Sequence, residues 1–192
     1  KANPAVAIPV PDPVRNFRAP ALRVDVQKLA DGVHYLTGGT HHSVAIDQGD
    51  HIVVVEGPQT EERSVALIAK IRETIPGKPI RYVWNSHPHS DHTGGLPVLV
   101  AEGATIIAQE NSREFFERAL NTPRTLLDDA LAKAPKRARV ESVTDKRVYT
   151  DGTHTVELYH IFPAPHSNAL LVAYLPKEKV LFQGDFSVNP AQ

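Results

Sequence analysis

Short apolar stretches separated by polar turns begin near residue 24 and give the first part of the chain a β-type pattern. Three such stretches lie at Val33–Thr37, residues 43–47 and residues 51–56, and Gly49 falls in the short turn between the last two. Short apolar stretches bounded by turn residues are typical of strands. The pattern therefore predicts a β-meander.

The next segment has helical spacing instead. Its apolar residues recur at intervals of three or four: Val65, Ile68, Ile71 and Ile75. Thr60 stands where a helix N-cap is expected, and Pro76 with Gly77 ends the pattern. The segment is therefore predicted to be an amphipathic helix.

The remaining pattern predicts helices and strands in alternation. Strands are expected at Ile80–Trp84, residues 105–108, in hairpins over residues 140–162, at residues 169–174 and at Val180–Gln183. Helices are expected after Gly94 and Gly95, near residues 112–120 and over residues 123–134. This order predicts a layered α/β sandwich with largely antiparallel sheets.

Proline content separates the first 22 residues from the rest. Prolines stand at positions 4, 9, 11, 13 and 20, and proline interrupts both helices and sheet pairing. Residues 1–22 are therefore predicted to form an extended arm. Residues 23–192 are predicted to form one domain, because a chain of 192 residues that is 41% hydrophobic can build one sizeable core.

Charge and hydropathy exclude several classes of partner. The 21 basic and 22 acidic residues give a net charge of -1 and are scattered along the chain, which argues against a nucleic-acid groove or a polybasic membrane surface. The apolar runs are much shorter than the roughly 20 residues that cross a bilayer. We therefore expect a soluble protein that acts on a small molecule, with homo-oligomer formation left open.

The chain contains no cysteine and no methionine. Without thiolates, any bound metal must be held by nitrogen and oxygen atoms. Because the sequence starts at Lys1, we expect that the true start is missing. Removal of a leader peptide, with export to the periplasm or secretion, is therefore compatible with the sequence.

The densest chemistry follows the strand predicted at Ile80–Trp84. His87 and His89 are two residues apart, so in extended chain their side chains point to the same side. Asp91 and His92 follow on a turn. Four such side chains exceed what one tetrahedral ion holds comfortably, but they can divide between two neighbouring ions. We also expect Gly94 and Gly95 to let the backbone approach the ions closely.

The segment from His87 to His92 resembles the His-x-His-x-Asp-His signature of the metallo-β-lactamase superfamily, and the resemblance continues from about residue 33 to the chain end. It implies an αββα four-layer sandwich. Members of this family continue beyond the position that corresponds to Gln192, so we expect the last strands and helices to be missing from this chain.

The resemblance also implies how the ligands divide. The first ion would take His87, His89 and His166, and the second would take Asp91, His92 and Asp185. Asp185 would bridge the two ions, and one further family histidine would complete the second position, although no histidine follows His166 here. The expected ions are two Zn²⁺, with iron and manganese as alternatives. By the same resemblance, His41 and His42 lie near the site mouth and are expected to contact substrate.

The resemblance implies a metal-dependent hydrolase that uses a zinc-bound hydroxide on a carbonyl or phosphoryl substrate, with Asp91 as the catalytic residue that orients the hydroxide and shuttles its proton. A β-lactam, a lactone, a thioester or a similar ester are the substrate classes left open. Two alternatives remain. One is a non-catalytic metal-binding fragment with an incomplete second site, and the other is an enzyme like the persulfide dioxygenases, with a single iron.

Overall fold

The computed structural model describes residues 11–15, 21–125 and 128–186. Its first sheet contains β1 (Asp25–Ala30), β2 (Val33–Thr37), β3 (Ser43–Gln48), β4 (His51–Val55), β5 (Ile80–Trp84), β6 (Thr105–Gln109) and β7 (Val140–Val143). Its second sheet contains β8 (Lys146–Thr150), β9 (Thr155–His160), β10 (Leu171–Leu175) and β11 (Val180–Gln183). The helices are α1 (Asp12–Arg15), α2 (Glu61–Thr74), α3 (Ser90–Thr93), α4 (Leu96–Glu102), α5 (Arg113–Asn121) and α6 (Ala130–Lys133).

The first sheet changes from antiparallel to parallel pairing at β4. Strands β1 to β4 form the predicted meander, with Val44 opposite Val55 in the β3–β4 pair. Strands β4 to β7 pair in parallel in chain order. Each parallel step needs a crossover. Helix α2 connects β4 to β5, α4 connects β5 to β6, and α5 and α6 lie between β6 and β7. This arrangement places the C-terminal ends of β4, β5 and β6 at one edge.

Two hydrophobic clusters cover the two faces of the first sheet. One cluster joins the sheet to α2, α4 and α5, and the other joins it to the second sheet through residues such as Trp84 and Leu158. The described chain therefore forms three layers, namely helices, first sheet and second sheet, which agree with the predicted sandwich. Val148 and Leu181 of the second sheet are exposed. None of the described helices is both long and apolar enough to cross a membrane.

Helix α2 shows how local signals fix an element. The Thr60 side chain accepts a hydrogen bond from the Arg63 backbone at 3.3 Å, which satisfies one free N–H of the first turn. The buried face differs from the predicted stripe by one residue, because Val65 is 52% exposed and Leu67 is buried instead. The helix is therefore fixed by its cap and by one apolar face.

Two predicted elements differ in the structure, and a third lies mostly outside the described residues. Residues 140–143, expected in a hairpin, form β7 and pair in parallel with β6, so the hairpins begin with β8 and β9. The helix expected over residues 123–134 is reduced in the described residues to α6, because the Asp129 carboxylate accepts from Ala132 N at 2.8 Å and starts a new helix there. Most of the predicted arm, residues 1–22, lies outside the described residues, and α1 within it is one helical turn.

Candidate metal centre

The histidine-rich motif follows β5 as a short turn and one turn of helix. His89 has an extended backbone and directly precedes α3. The Asn85 side chain donates to the His92 carbonyl at 2.9 Å, which ties the end of the strand to the end of the motif. His87 is buried, whereas His89 and Asp91 are exposed. The motif therefore has a buried base and an open rim.

The three histidines expected at the first metal position converge. His87 Nε2 lies 3.1 Å from His89 Nδ1, so these two side chains do point to the same side. His166 lies in the loop between β9 and β10, and its Nε2 lies 3.1 Å from His87 Nε2. Ligand atoms of a tetrahedral zinc site are separated by about 3.4 Å, given zinc–nitrogen bonds of about 2.1 Å. The two separations from His87 are close to this value, and all three ligand atoms lie within 4.8 Å of one another.

The residues expected at the second position lie directly beside the first. His92 Nε2 is 3.2 Å from Asp185 Oδ2 and 3.7 Å from Asp91 Oδ2. The same Asp185 oxygen lies 3.3 Å from His166 Nε2. Asp185 follows β11 with a φ of 58°, a left-handed conformation that non-glycine residues seldom adopt. Its carboxylate is therefore between the two groups, where a bridging ligand would have to be.

Hydrogen bonds behind the rings orient two of these histidines. Nδ1 of His87 lies 2.9 Å from Ser86 Oγ, and Nδ1 of His92 lies 3.0 Å from Glu56 Oε2. Partners of this kind on the far ring nitrogen fix a metal-binding imidazole in its tautomer and orientation. The Nε2 atom of each ring is thereby turned toward the cluster.

Glu56 is the residue of this site that the sequence analysis missed. It follows β4 with a φ of 69° and is 1% exposed. One of its oxygens lies beside His92, and the other accepts from Ser86 N at 2.6 Å. A buried carboxylate needs such partners. The only sequence signal was an acidic residue directly after a strand of apolar residues.

The electrostatic environment differs from one side chain of the cluster to the next. Burial, reinforced by the neighbouring histidines, lowers the pKa of His87 to about 4. For His92, burial opposes the charged form, but the hydrogen bond to Glu56 and the nearby carboxylates outweigh it and raise the pKa. Burial favours the neutral form of Asp91, yet the hydrogen bond with His41 and a backbone hydrogen bond lower its pKa overall. His87 is therefore a neutral imidazole and Asp91 a carboxylate at pH 7.

The donor set fits a metal ion. Three combinations have ligand atoms within 4.8 Å of one another: His87 with His89 and His166, His87 with His92 and Asp185, and His41 with Asp91 and His92. His87 Nε2 faces His89 Nδ1 and His166 Nε2 at 3.1 Å each, and this one ring nitrogen can donate at most one proton to the two contacts. A cation relieves the repulsion between the lone pairs of these nitrogens, so these residues could hold a metal of the kind that nitrogen and oxygen donors select.

The two histidines expected at the site mouth separate in the structure. His41 Nε2 lies 3.1 Å from Asp91 Oδ2. His42 Nδ1 lies 2.9 Å from Thr37 Oγ1, and its ring packs against Tyr35 at 5.1 Å between centroids. The structure therefore brings His41 to the cluster and directs His42 to the end of β2.

Gly94 and Gly95 have a packing role that differs from the expected one. A Cβ atom on Gly94 would lie 2.0 Å from the Gln59 carbonyl oxygen, and one on Gly95 would lie 1.9 Å from Ser64 Oγ. Such distances are far below van der Waals contact. The glycines are needed because the segment after the motif packs against α2 and the loop before it.

Comparisons with known proteins agree with this architecture. The family model described as the metallo-beta-lactamase superfamily matches residues 36–192. A metallo-beta-lactamase from Pontibacter korlensis superposes with a TM-score of 0.63 at 20% identity, covering 84% of this chain and 71% of that one. The DIM-1 metallo-beta-lactamase gives 0.64 at 17% identity, covering 88% and 72%. Metallo-beta-lactamase SMB-1 gives 0.56 at 21% identity, covering 74% and 54%. At these identities the solved structures show a shared fold.

Proposed function

The chain belongs to the metallo-β-lactamase superfamily, and from this premise we propose that it is a zinc-dependent hydrolase with two metal ions. The observation that carries the proposal is the convergence of six side chains from three separate parts of the chain on one place: His87, His89, Asp91, His92, His166 and Asp185. Family membership and this donor set together imply a metal cofactor. Zinc as the ion, the number of ions and the hydrolysed bond are parts of the proposal.

The exposure of the cluster favours catalysis over a structural role. His87 and His92 are buried at its base, whereas the side chains of His166 and Asp91 are 35% and 50% exposed. Structural zinc sites are closed, and catalytic ones keep a position open to water or substrate. A site with a buried base and an open rim has room for a substrate group.

The residues have separable tasks in this proposal. His87, His89 and His166 would hold one ion, and Asp91, His92 and Asp185 the other, with Asp185 between them. Bound zinc supplies Lewis acidity, which makes water a nucleophile at neutral pH and polarises a carbonyl or phosphoryl oxygen. Asp91 is a carboxylate at pH 7, so it can accept a hydrogen bond from the attacking water and take up its proton.

The names of the similar structures indicate which substrate class to test first. The similar structures are named metallo-β-lactamases, and one DIM-1 structure was exposed to ceftazidime. A β-lactam is therefore the first substrate to test, followed by lactones, thioesters, simple esters and phosphodiesters. The expected result is hydrolysis of at least one class that stops with a chelator and returns with added zinc.

Metal content tests the site independently of the substrate. Purified wild-type chain is expected to contain close to two zinc ions by plasma mass spectrometry, and His87→Ala and His166→Ala are each expected to lose at least one. His34→Ala, on β2, is the matched control and should keep the wild-type content. One ion or none in the wild type, unchanged in the variants, would contradict the assignment. Iron in place of zinc would support the dioxygenase alternative.

A further inference from the structure

We propose that His41 is a ligand of the second metal position, together with Asp91, His92 and Asp185. The inference rests on the proposed two-metal function and adds a residue to it. His41 is not part of the histidine-rich motif and comes from the loop between β2 and β3, 50 residues before Asp91. The resemblance to the family implies only a substrate contact for His41.

The distances around Asp91 carry this inference. His41 Nε2 lies 3.1 Å from Asp91 Oδ2, and His92 Nε2 lies 3.7 Å from the same oxygen. The His41 and His92 rings are 5.0 Å apart and meet edge to face. The two distances to Asp91 Oδ2 are close to the roughly 3.4 Å that separates two ligand atoms of one tetrahedral zinc ion. Asp185 Oδ2 lies 3.2 Å from His92 Nε2, so His92 belongs both to this group of three and to the group that it forms with His87 and Asp185.

The loop that carries His41 is fixed by a buried guanidinium. Arg63 of α2 is 2% exposed and donates to the carbonyl oxygens of Arg23, of Thr37 at 3.0 Å and of His41 at 3.5 Å. These bonds hold the chain just before β1, at the end of β2 and at the His41 backbone against the helix. A ligand whose backbone is held in this way needs little ordering when an ion binds.

Gln59 holds the same loop against the histidine-rich motif. Its side chain donates to Thr40 Oγ1 at 3.0 Å, and its backbone N–H donates to the Asp91 carbonyl at 2.8 Å. Thr40 Oγ1 in turn lies 2.9 Å from His41 Nδ1. The far nitrogen of His41 thus has a hydrogen-bond partner, as do those of His87 and His92. The three rings share the arrangement typical of metal-binding imidazoles.

The contact between His41 and Asp91 has two chemical interpretations. The Thr40 hydroxyl can accept a hydrogen bond from His41 Nδ1–H, or donate one to an unprotonated Nδ1. In the first case, the Nε2 lone pair and the Asp91 carboxylate both face a cation. In the second, Nε2 carries a proton and only donates a hydrogen bond to Asp91. Glutamine separates the two, because its amide can donate to Asp91 but is a poor zinc ligand.

The test compares His41→Ala, His41→Gln and His42→Ala with the wild type. Each chain is stripped with a chelator, checked for folding by circular dichroism, and titrated with Co²⁺ while the visible absorption of the bound ion is recorded. Zinc content is measured in parallel. His42 is the matched control, because it is adjacent in sequence but contacts Thr37 and Tyr35 instead of the cluster.

We expect both His41 variants to lose at least about tenfold in affinity for the second ion, because loss of even an outer partner of a ligand costs 10- to 100-fold. The first ion should bind unchanged, and His42→Ala should behave as the wild type. Wild-type binding of the second ion by His41→Gln would overturn the inference in favour of a hydrogen bond alone. Two ions in every variant with unchanged affinity would also overturn it, but would leave the proposed function standing. Fewer than two ions in the wild type would contradict both.

Discussion

Replacing Glu56 tests whether the orientation of His92 affects metal binding while every proposed ligand stays in place. Its carboxylate lies behind His92 and also accepts the Ser86 N–H. Glu56→Gln keeps the shape but removes the charge that orients the imidazole. We expect metal affinity to fall by about 10- to 100-fold. Competition with a chromophoric chelator measures this loss.

Glu178 provides a control of the same chemistry elsewhere in the molecule. Its side chain is buried and lies 2.7 Å from His154 Nδ1, in the turn between β10 and β11. Glu178→Gln removes a similar charged pair without touching the cluster, so metal affinity should stay at the wild-type value. Equal losses in the two variants would show that the effect of Glu56→Gln is a general destabilisation.

His87 makes the stability of the metal-free protein depend on pH. Its pKa is lowered to about 4 in the folded state by burial and by the nearby histidines, from an ordinary value of 6.5. Between these values the unfolded chain binds more protons, so the free energy of unfolding falls as the pH falls. From pH 7 to pH 5 this loss amounts to about 2 kcal/mol.

Removing the imidazole should therefore flatten the pH dependence. Urea unfolding with a chelator present is expected to show that His87→Gln loses about 2 kcal/mol less than the wild type between pH 7 and pH 5. Parallel curves for the two proteins would show that His87 is not the group responsible.

At the residue scale, the sequence predicted the members of the cluster that are neighbours along the chain, and it predicted less about residues that only folding brings together. Six residues of the cluster were predicted, four from one short motif and two, His166 and Asp185, from the resemblance to the family. Glu56 could not be found, because an acidic residue after a strand is usually exposed, and its contact with His92 spans 36 positions. The separate environments of His41 and His42 depend on how one loop turns, which no residue spacing encodes.

At the scale of elements, Arg63 links α2 to the loop that follows β2. Arg63→Ala leaves the carbonyls of Arg23 and Thr37 without this donor. Hydrogen bonds made by a charged group contribute about 1.5–3 kcal/mol each, and water can replace part of this contribution at an exposed residue such as Arg23. We therefore expect the free energy of unfolding to fall by about 2–4 kcal/mol in urea denaturation.

A second arginine of the same helix is the natural comparison. Arg72 is exposed and pairs with Glu102 at 2.6 Å. Exposed ion pairs contribute at most about 1 kcal/mol, so Arg72→Ala should be nearly neutral. A loss in Arg63→Ala no larger than in Arg72→Ala would mean that the loop is held by other contacts.

Elements with strong local signals were predicted well, and those decided by distant partners were not. Helix α2 has a capping threonine and an apolar face, and both signals are local. Strand β7 was expected to join a hairpin, because its sequence alternates like its neighbours, but it pairs with β6 across an intervening helical region. The segment over residues 123–134 has helical composition, yet the Asp129 side chain bonds locally and starts a new helix.

At the scale of the whole molecule, the candidate ligands come from both sheets. The histidine-rich motif follows β5 of the first sheet, whereas His166 and Asp185 adjoin β10 and β11 of the second. A bound ion would therefore fasten the two layers together. Metal that binds only the folded chain raises its stability by about 4 kcal/mol at a thousand times the dissociation constant.

Thermal unfolding with and without chelator measures this effect. We expect the melting temperature of the wild type to fall on metal removal, and that of His166→Ala to fall much less because the second sheet no longer contributes its imidazole to the first position. An unchanged wild-type melting temperature would show that metal does not hold the layers together.

The distribution of these ligands along the chain also bears on how the protein is made. His87 and His166 are 79 positions apart, and His92 and Asp185 are 93 apart. Synthesis proceeds from the N-terminus, so a growing polypeptide displays the histidine-rich motif well before the other ligands leave the ribosome. An ion captured at that stage would have only a partial set of ligands. Under the proposed assignment, stable loading therefore waits until β11 has been translated and docked.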